Sequence, residues 1–209
     1  SVTFDLKWGA ENFTEGNELG TANGVTELNY EITGLTANTA YDVYVRQNCD
    51  DNQSDWVGPF AFTTLSQCPT GDVNLSSQAQ VDAFGVNYAH CTNIIHSLYI
   101  GSNIFGATTD INNLNGLSNV TSIGGYLDIS SNPNLQNLDG LSNVTSVGSL
   151  ATIWNNQNLT NLNGLSSLTT IGSYLAIDDN PNLSNLNGLS NLTSIGGKLQ
   201  ISYNNSLTN

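Results

Sequence analysis

From Gly125 to Asn209 the apolar positions return every 24 residues. Ile129, Ile153, Ile177 and Ile201 form one column, and Leu135, Leu159, Leu183 and Leu207 form another. Leu138, Leu162 and Leu186 follow, then Leu141, Leu165 and Leu189, then Val147, Ile171 and Ile195. A polar column, Asn132, Asn156, Asn180 and Asn204, is kept as strictly as the aliphatic ones. A fixed period of this length marks a solenoid in which each coil is one structural unit. Each coil offers about six aliphatic side chains, worth roughly 1.5–3 kcal/mol apiece on full burial. Ordering the backbone costs on the order of 1–2 kcal/mol per residue, so a lone coil does not fold. Stacked coils share one core and build ladders of like side chains.

Within a coil, the pairs Leu127/Ile129, Leu175/Ile177 and Leu199/Ile201 alternate with period two. This predicts one short strand per coil in a parallel sheet. The Asn column is expected to be buried, its carboxamides bonding turn backbone and one another. Gly116, Gly140, Gly164 and Gly188 each precede a Leu, which predicts either a bend with positive φ or a close backbone approach. Further upstream, Leu98-Tyr-Ile100 fits the strand and Asn103 falls in the Asn column. Ile111, Leu114, Leu117, Val120 and Ile123 rejoin the repeat once five residues near Ile104–Thr108 are looped out. Ser76 or Ser77 can cap a helix over Gln78–Phe84 with Gly85 past its end. Val81 and Phe84, three apart, place one helix face over the open end of the core. The first 65 residues lack the period; Val2–Trp8, Thr26–Ile32, Tyr41–Cys49 and Pro59–Thr64 read as strands between Gly-, Asn- and Asp-rich turns.

Gly34-LTANTAYDVYV resembles the E–F corner of the fibronectin type III module, with Leu35, Thr39 and Tyr41 at its motif positions and Tyr41 as the corner tyrosine. Ser54-DWVGPFAFTT resembles that module's last hairpin and G strand. The likeness covers residues 2–64 without the module's first two strands, and implies half a sandwich with an exposed edge and apolar surface. Cys68 to Asn209 carries a Cys, a capping helix, a second Cys and coils of x-Leu-x-Ile-x-x-Asn-x-x-Leu-x-x-Leu-x-Gly-Leu. This is similar to the receptor L domain, the leucine-rich β-helix of the insulin and epidermal growth factor receptors, with related repeats in bacterial surface proteins. The resemblance implies a right-handed stack, a Cys68–Cys91 bridge and extracellular recognition. No hormone site comes with it, since the contact residues and cysteine-rich module have no counterpart here.

The fold expected is therefore all-β with one short capping helix. A partial fibronectin type III β-sandwich over 1–65, truncated at its N-terminus, precedes a right-handed leucine-rich-repeat β-helix solenoid of 24-residue coils over 66–209. The solenoid carries an N-terminal cap over 68–91 and is truncated at its C-terminus, the next core Leu falling due at position 210. A Cys68–Cys91 loop of about 24 residues is worth roughly 3 kcal/mol. Cys49 is left over, which suggests a missing partner, and the fibronectin type III likeness implies that the partner lies upstream.

Charge and chemistry narrow the function. Lys7, Arg46 and Lys198 stand against 17 acids, for a net charge of −14. That balance argues against nucleic acid and anionic membranes as partners. No stretch approaches the ~20 apolar residues of a membrane helix, so membrane insertion within this segment is not expected. With no initiator Met or signal peptide, the chain reads as part of a longer secreted or cell-surface polypeptide whose flanking domains are its neighbours. There is no G-x-S-x-G, P-loop or H-E-x-x-H, so no enzyme, cofactor or metal site is expected. Cys68, His90, Cys91 and His96 match no zinc-site spacing. Asp50, Asp51 and Asp55 could serve as a calcium ligand set or as a solvated hairpin tip.

What remains is a surface. Residues flanking each strand's Leu and Ile point away from the core: Ser97/Tyr99/Gly101, Tyr126/Asp128/Ser130, Leu150/Thr152/Trp154, Tyr174/Ala176/Asp178 and Lys198/Gln200/Ser202. The candidate ligand-binding residues are Tyr99, Tyr126, Asp128, Trp154, Tyr174 and Asp178. Tyr126, Trp154 and Tyr174, on successive coils, are expected to form an apolar strip roughly 10 Å long. At the Ser149 coil Ala151 takes the place of the core Leu, with Leu150 one place early, which predicts a bulge or a gap. The function expected is non-enzymatic recognition or adhesion, with an extracellular protein or glycan held on this face. The alternative is a spacer holding a catalytic domain, such as a glycoside hydrolase, or an adhesive domain away from the surface.

Overall fold

The computed structural model describes residues 2–49, 52–102 and 106–208. They belong to two compact units, Ser1–Gln67 and Cys68–Asn209. The first is an antiparallel sheet of β1 (Val2–Ala10), β2 (Gly20–Val25), β3 (Ala40–Cys49), β4 (Asn52–Gln53) and β5 (Val57–Thr63). The order is β2-β1-β3-β4, with β5 also paired to β3. The described strands of this unit form one layer, and the second layer of the expected partial sandwich is not shown among them. The strand predicted over Thr26–Ile32 is not formed. Nothing described pairs with it, and an unpaired strand would leave its backbone groups without ladder partners. Leu28 within it is fully exposed, as are more than half of Val57 and Phe60. β2, too polar to read as a strand, is held by pairing Ala22 with Leu6 and Gly20 with Trp8.

The other face of this sheet is organised around Asp5, 2% exposed. Its carboxylate accepts from Arg46 Nε at 2.9 Å, Asn48 Nδ2 at 2.6 Å and the Gly24 N–H at 3.0 Å. Burial pushes the carboxyl up, but these bonds outweigh it and hold Asp5 below the ordinary range. Lys7 and Arg46 both lie over the Trp56 ring, at 4.5 and 4.6 Å from its centroid. Tyr41, 3% exposed, accepts from the Thr36 N–H at 2.9 Å and stacks on Phe62.

In the second unit each coil makes two strands and a 3-10 turn, where the sequence predicts one strand. The longer strands, Leu98–Gly101, Leu127–Ser130, Ala151–Trp154, Leu175–Asp178 and Leu199–Ser202, join Val73–Leu75 (β6) in a six-stranded parallel sheet. Two-residue strands, from Asn93–Ile94 to Ser194–Ile195, form a second parallel sheet of five. A two-residue strand contributes one inward side chain (Ile123, Val147, Ile171), which is too short for periodicity to reveal. Between the sheets lie the 3-10 turns Asn115–Leu117, Asp139–Leu141, Asn163–Leu165 and Asn187–Leu189.

The core is continuous from Val73 to Leu183, and Leu135, Leu138, Leu141, Leu159 and Leu162 are 0% exposed. Gly140, Gly164 and Gly188 have no positive φ among them. A Cβ at each would penetrate the carbonyl of the coil before, at Leu114, Leu138 and Leu162 respectively. Close approach, not turn geometry, requires glycine in this column. The left-handed positions are instead Ser131, Asn155, Asp179 and Tyr203, φ 54–57°, where the four longer strands from Leu127–Ser130 onward end and the chain turns.

Asn132, Asn156 and Asn180 are fully buried. Each carboxamide oxygen in the ladder accepts from the coil before: Asn156 Oδ1 takes the Asn132 N–H at 3.2 Å and Asn132 Nδ2 at 3.1 Å. Each Nδ2 donates back to a strand carbonyl, as Asn156 does to Ile129 at 2.9 Å. Asn103 lies outside the described residues; Asn132 Oδ1 accepts from Thr109 Oγ1 at 2.6 Å.

The cap is α1, Gln78–Asn87, with Ser77 as N-cap. It runs three residues beyond the predicted end. Gly85 does not stop it, because that glycine is where the helix meets the first 3-10 turn: a Cβ there would lie 2.6 Å from Gly116 Cα. Val81 and Phe84 are buried over the end of the core. Cys68 and Cys91 are joined by a disulfide, Cα–Cα 5.7 Å.

Candidate recognition face

The outer face of the six-stranded sheet is set by its register. Leu98, Leu127, Ala151, Leu175 and Leu199 align, as do Ile100, Ile129, Ile153, Ile177 and Ile201. No bulge occurs at Ala151, which is 2% exposed and takes the Leu position directly. The alternate residues therefore make three outer columns. The first is Ser97, Tyr126, Leu150, Tyr174 and Lys198, just ahead of the strands. The second is Asn74, Tyr99, Asp128, Thr152, Ala176 and Gln200, and the third is Gly101, Ser130, Trp154, Asp178 and Ser202.

This arrangement corrects the predicted aromatic strip. Tyr126 and Tyr174 share a column with Leu150 between them, roughly 10 Å apart across two strand spacings. Trp154 lies four residues along the strand from Leu150, roughly 13 Å away at ~3.3 Å per residue. Its neighbours in register are Ser130 and Asp178. Tyr126 is 44% exposed; Tyr99, Trp154 and Tyr174 are half-buried.

The two carboxylates of the face differ. Asp178 accepts from Gln200 Nε2 at 2.9 Å and from the Ser202 hydroxyl. Gln200 Oε1 in turn accepts from Tyr174 Oη at 2.8 Å and Lys198 Nζ at 2.7 Å, and that ammonium lies 5.6 Å from the Tyr174 ring centroid. This end of the face is closed on itself. Asp128 has the opposite character: its Oδ1 is buried and without a hydrogen-bond partner. Burial pushes its carboxyl above the ordinary range, and the Ser130 hydroxyl offsets part of that. All three Lys and Arg residues of the chain sit over aromatic rings, Lys7 and Arg46 in the first unit and Lys198 at the far coil.

A carboxyl raised by burial favours the folded state only while protonated. Its contribution is fully present below the unfolded value, near 3.8, and is lost as pH rises through the folded one. Asp128→Asn is therefore expected to melt above the parent at pH 7, with the gap closing below about pH 4. Thermal melts of both proteins between pH 3 and 7 measure this, and a gap that ignores pH would refute the burial assigned to Asp128.

The remaining candidates resolve simply. Asp50 and Asp51 lie outside the described residues, and Asp55 is exposed. Cys68, His90 and Cys91 bring ligand atoms within 4.8 Å of one another, but both sulfurs are committed to the disulfide and His90 Nε2 rests 3.4 Å from Cys91 Sγ. Cys49 is an exposed free thiol, with Gln47 Nε2 3.2 Å from its sulfur. The sequence reading missed Asn74 on this face, although Val73-Asn-Leu75 repeats the apolar-x-apolar signature of Leu98-Tyr-Ile100.

Among the described residues no helix is long and apolar enough to cross a membrane. No curated protein matches the chain. Residues 85–208 match the BspA type leucine rich repeat region in six copies, beginning inside α1 and ending with the last described coil. That span is more than half of the 209 residues, and the chain belongs to the BspA type leucine rich repeat family.

Proposed function

We propose that this chain is a non-enzymatic extracellular recognition segment, secreted or displayed at a cell surface, that holds its ligand on the outer face of the six-stranded sheet. One observation carries the reading. The inward columns repeat the same aliphatic chemistry coil after coil, whereas the outer columns change from coil to coil between aromatic, acidic, amide and hydroxyl side chains. Stacking does not demand that variety, and exposed aromatics among polar groups are what recognition uses. The family points the same way, its members being typically bacterial surface proteins involved in adhesion. On this reading α1 and the Cys68–Cys91 bridge form a receptor L domain-like cap. The first unit is a fibronectin type III-like module, for which the β2-β1-β3-β5 order and the buried Tyr41 hydroxyl speak.

The full chain should be tested against arrays of extracellular proteins and of glycans, beside the Tyr126→Ser/Trp154→Ser variant. Capture by the parent is expected, with the variant weaker by about 1–3 kcal/mol, roughly 5–150-fold, at an unchanged melting temperature. A parent that captures nothing on either array would favour the spacer instead.

A further inference from the structure

The amino-terminal end of the outer face holds a cavity of about 220 Å³ between β6, Leu98–Gly101 and Leu127–Ser130. We propose that it is a subsite for one neutral or amino-bearing pyranose ring, the sugar hydroxyls bonding Asp128, Asn74 and Ser130 over the Tyr99 ring. The proposal deepens the recognition reading above and rests on it.

Size limits the occupant first. The volume is below the roughly 300–1,000 Å³ of sites for drug-sized ligands, so a single small ring or side chain fits and a longer ligand must extend outside. The register explains why the space exists here. Asn74, Tyr99 and Asp128 are consecutive in the second column, so their side chains stand at spacings of about 4.8 Å. In the third column this end has Gly101 and Ser130, whereas the next coils carry Trp154 and Asp178. Gly101 cannot be filled, because a Cβ would penetrate the Ser130 carbonyl. The glycine that the backbone forces on this corner, with the small Ser130 beside it, leaves the cavity.

Chemistry selects the ligand. Asp128 Oδ1 is buried without a partner, an arrangement costly enough to call for a donor from outside the chain. Among the described residues no cation serves it, and Lys198, the one Lys or Arg of this unit, lies over Tyr174. The lining is mixed: a carboxylate that only accepts, and the carboxamide and hydroxyls of Asn74, Ser76, Tyr99 and Ser130, which donate as well. An ammonium offers only donors and would leave the N–H and O–H donors of that second set unused. Sugar hydroxyls both donate and accept, and a pyranose also has an apolar face for Tyr99. A net charge of −14 and Asp128 itself disfavour uronic and other acidic sugars.

The test titrates the full chain with methyl glycosides of neutral hexoses, a hexosamine with a free amine, an N-acetylhexosamine, a hexuronic acid and n-butylammonium, read by saturation-transfer and chemical-shift NMR. A neutral or amino sugar is expected to bind saturably and the hexuronic acid is not. Asp128→Asn should weaken the sugar roughly 10-fold or more, as loss of a hydrogen bond to a charged group does. Asn74→Ala should weaken it several-fold, and Tyr174→Ser, two coils away, should leave it unchanged. Because Asp128→Asn is expected to melt above the parent at pH 7, lost binding cannot be assigned to unfolding. Sugar binding that survives Asp128→Asn, or butylammonium binding in the absence of any sugar, overturns the proposal. Protein capture on the arrays with no monosaccharide bound overturns it too, and leaves the recognition face standing.

Discussion

Asn156→Ala is expected to destabilise the second unit by roughly 3–5 kcal/mol, more than its loss of a few atoms suggests. The carboxamide links three coils: it takes two donors from Asn132 and gives its own to Ile129 O and, at 3.2 Å, to Asn180 Oδ1. All three asparagines are fully buried. Truncation leaves the Asn132 N–H and one Asn132 Nδ2 hydrogen with no acceptor and no water, at about 1–3 kcal/mol each. Asn156→Asp keeps the acceptor but sets a carboxylate oxygen in the donor's place, facing the Ile129 carbonyl, so it should not rescue. Asn204, half-buried in the last coil, serves Asn180 alone from its oxygen, and Asn204→Ala should cost clearly less. Urea unfolding measures both. An Asn156→Ala midpoint within experimental error of the parent would show that the ladder organises the turn without stabilising it.

Leu162→Ala should cost roughly 2–5 kcal/mol, the range for truncating a buried leucine in a core that cannot collapse. Leu162 is 0% exposed, in mid-stack. The equivalent Leu186 is only partly buried. It lines a cavity of about 550 Å³ with Leu189, Leu192, Ile195, Leu199 and Ile201, and Leu199 is 51% exposed. Leu186→Ala should therefore cost less than half as much, although the sequence makes the two positions equal. Ser190 is exposed, and its substitution should fall within about 0.5 kcal/mol of the parent. Asn161 is not so free: its Oδ1 accepts from the Asn163 N–H at 3.0 Å, so Asn161→Ala should cost about 0.5–1.5 kcal/mol. Equal losses at Leu162 and Leu186 would contradict the burial gradient along the stack.

Much of the second unit was legible because its information is periodic. A column that recurs every 24 residues must meet itself in the coils above and below, so inward Leu and Ile, the buried Asn ladder and the cap residues Val81 and Phe84 follow from counting. Counting also separates Tyr126 and Tyr174, two periods apart, from Trp154, which occupies another place in its coil; position along the strand, not coil number, decides which side chains meet. The receptor likeness supplied the Cys68–Cys91 pairing, which spacing by itself does not dictate.

The rest depended on distances between segments. Whether Gly140 and Gly164 serve a bend or a contact turns on how near the previous coil's carbonyl comes, and nothing local to the glycine records that. Thr26–Ile32 has strand composition, but a strand exists only with a partner, and none of the described strands pairs with it. Ser146-Val147 has too few residues to show a period and becomes a strand because Ser122-Ile123 and Thr170-Ile171 flank it. Asp128 is one carboxylate among 17 acids in the sequence. Its unpartnered oxygen arises from neighbouring strands that remove water without offering a donor. Periodic side-chain chemistry is a property of the chain itself, whereas solvation and close approach belong to pairs of coils and are decided only when the coils stack.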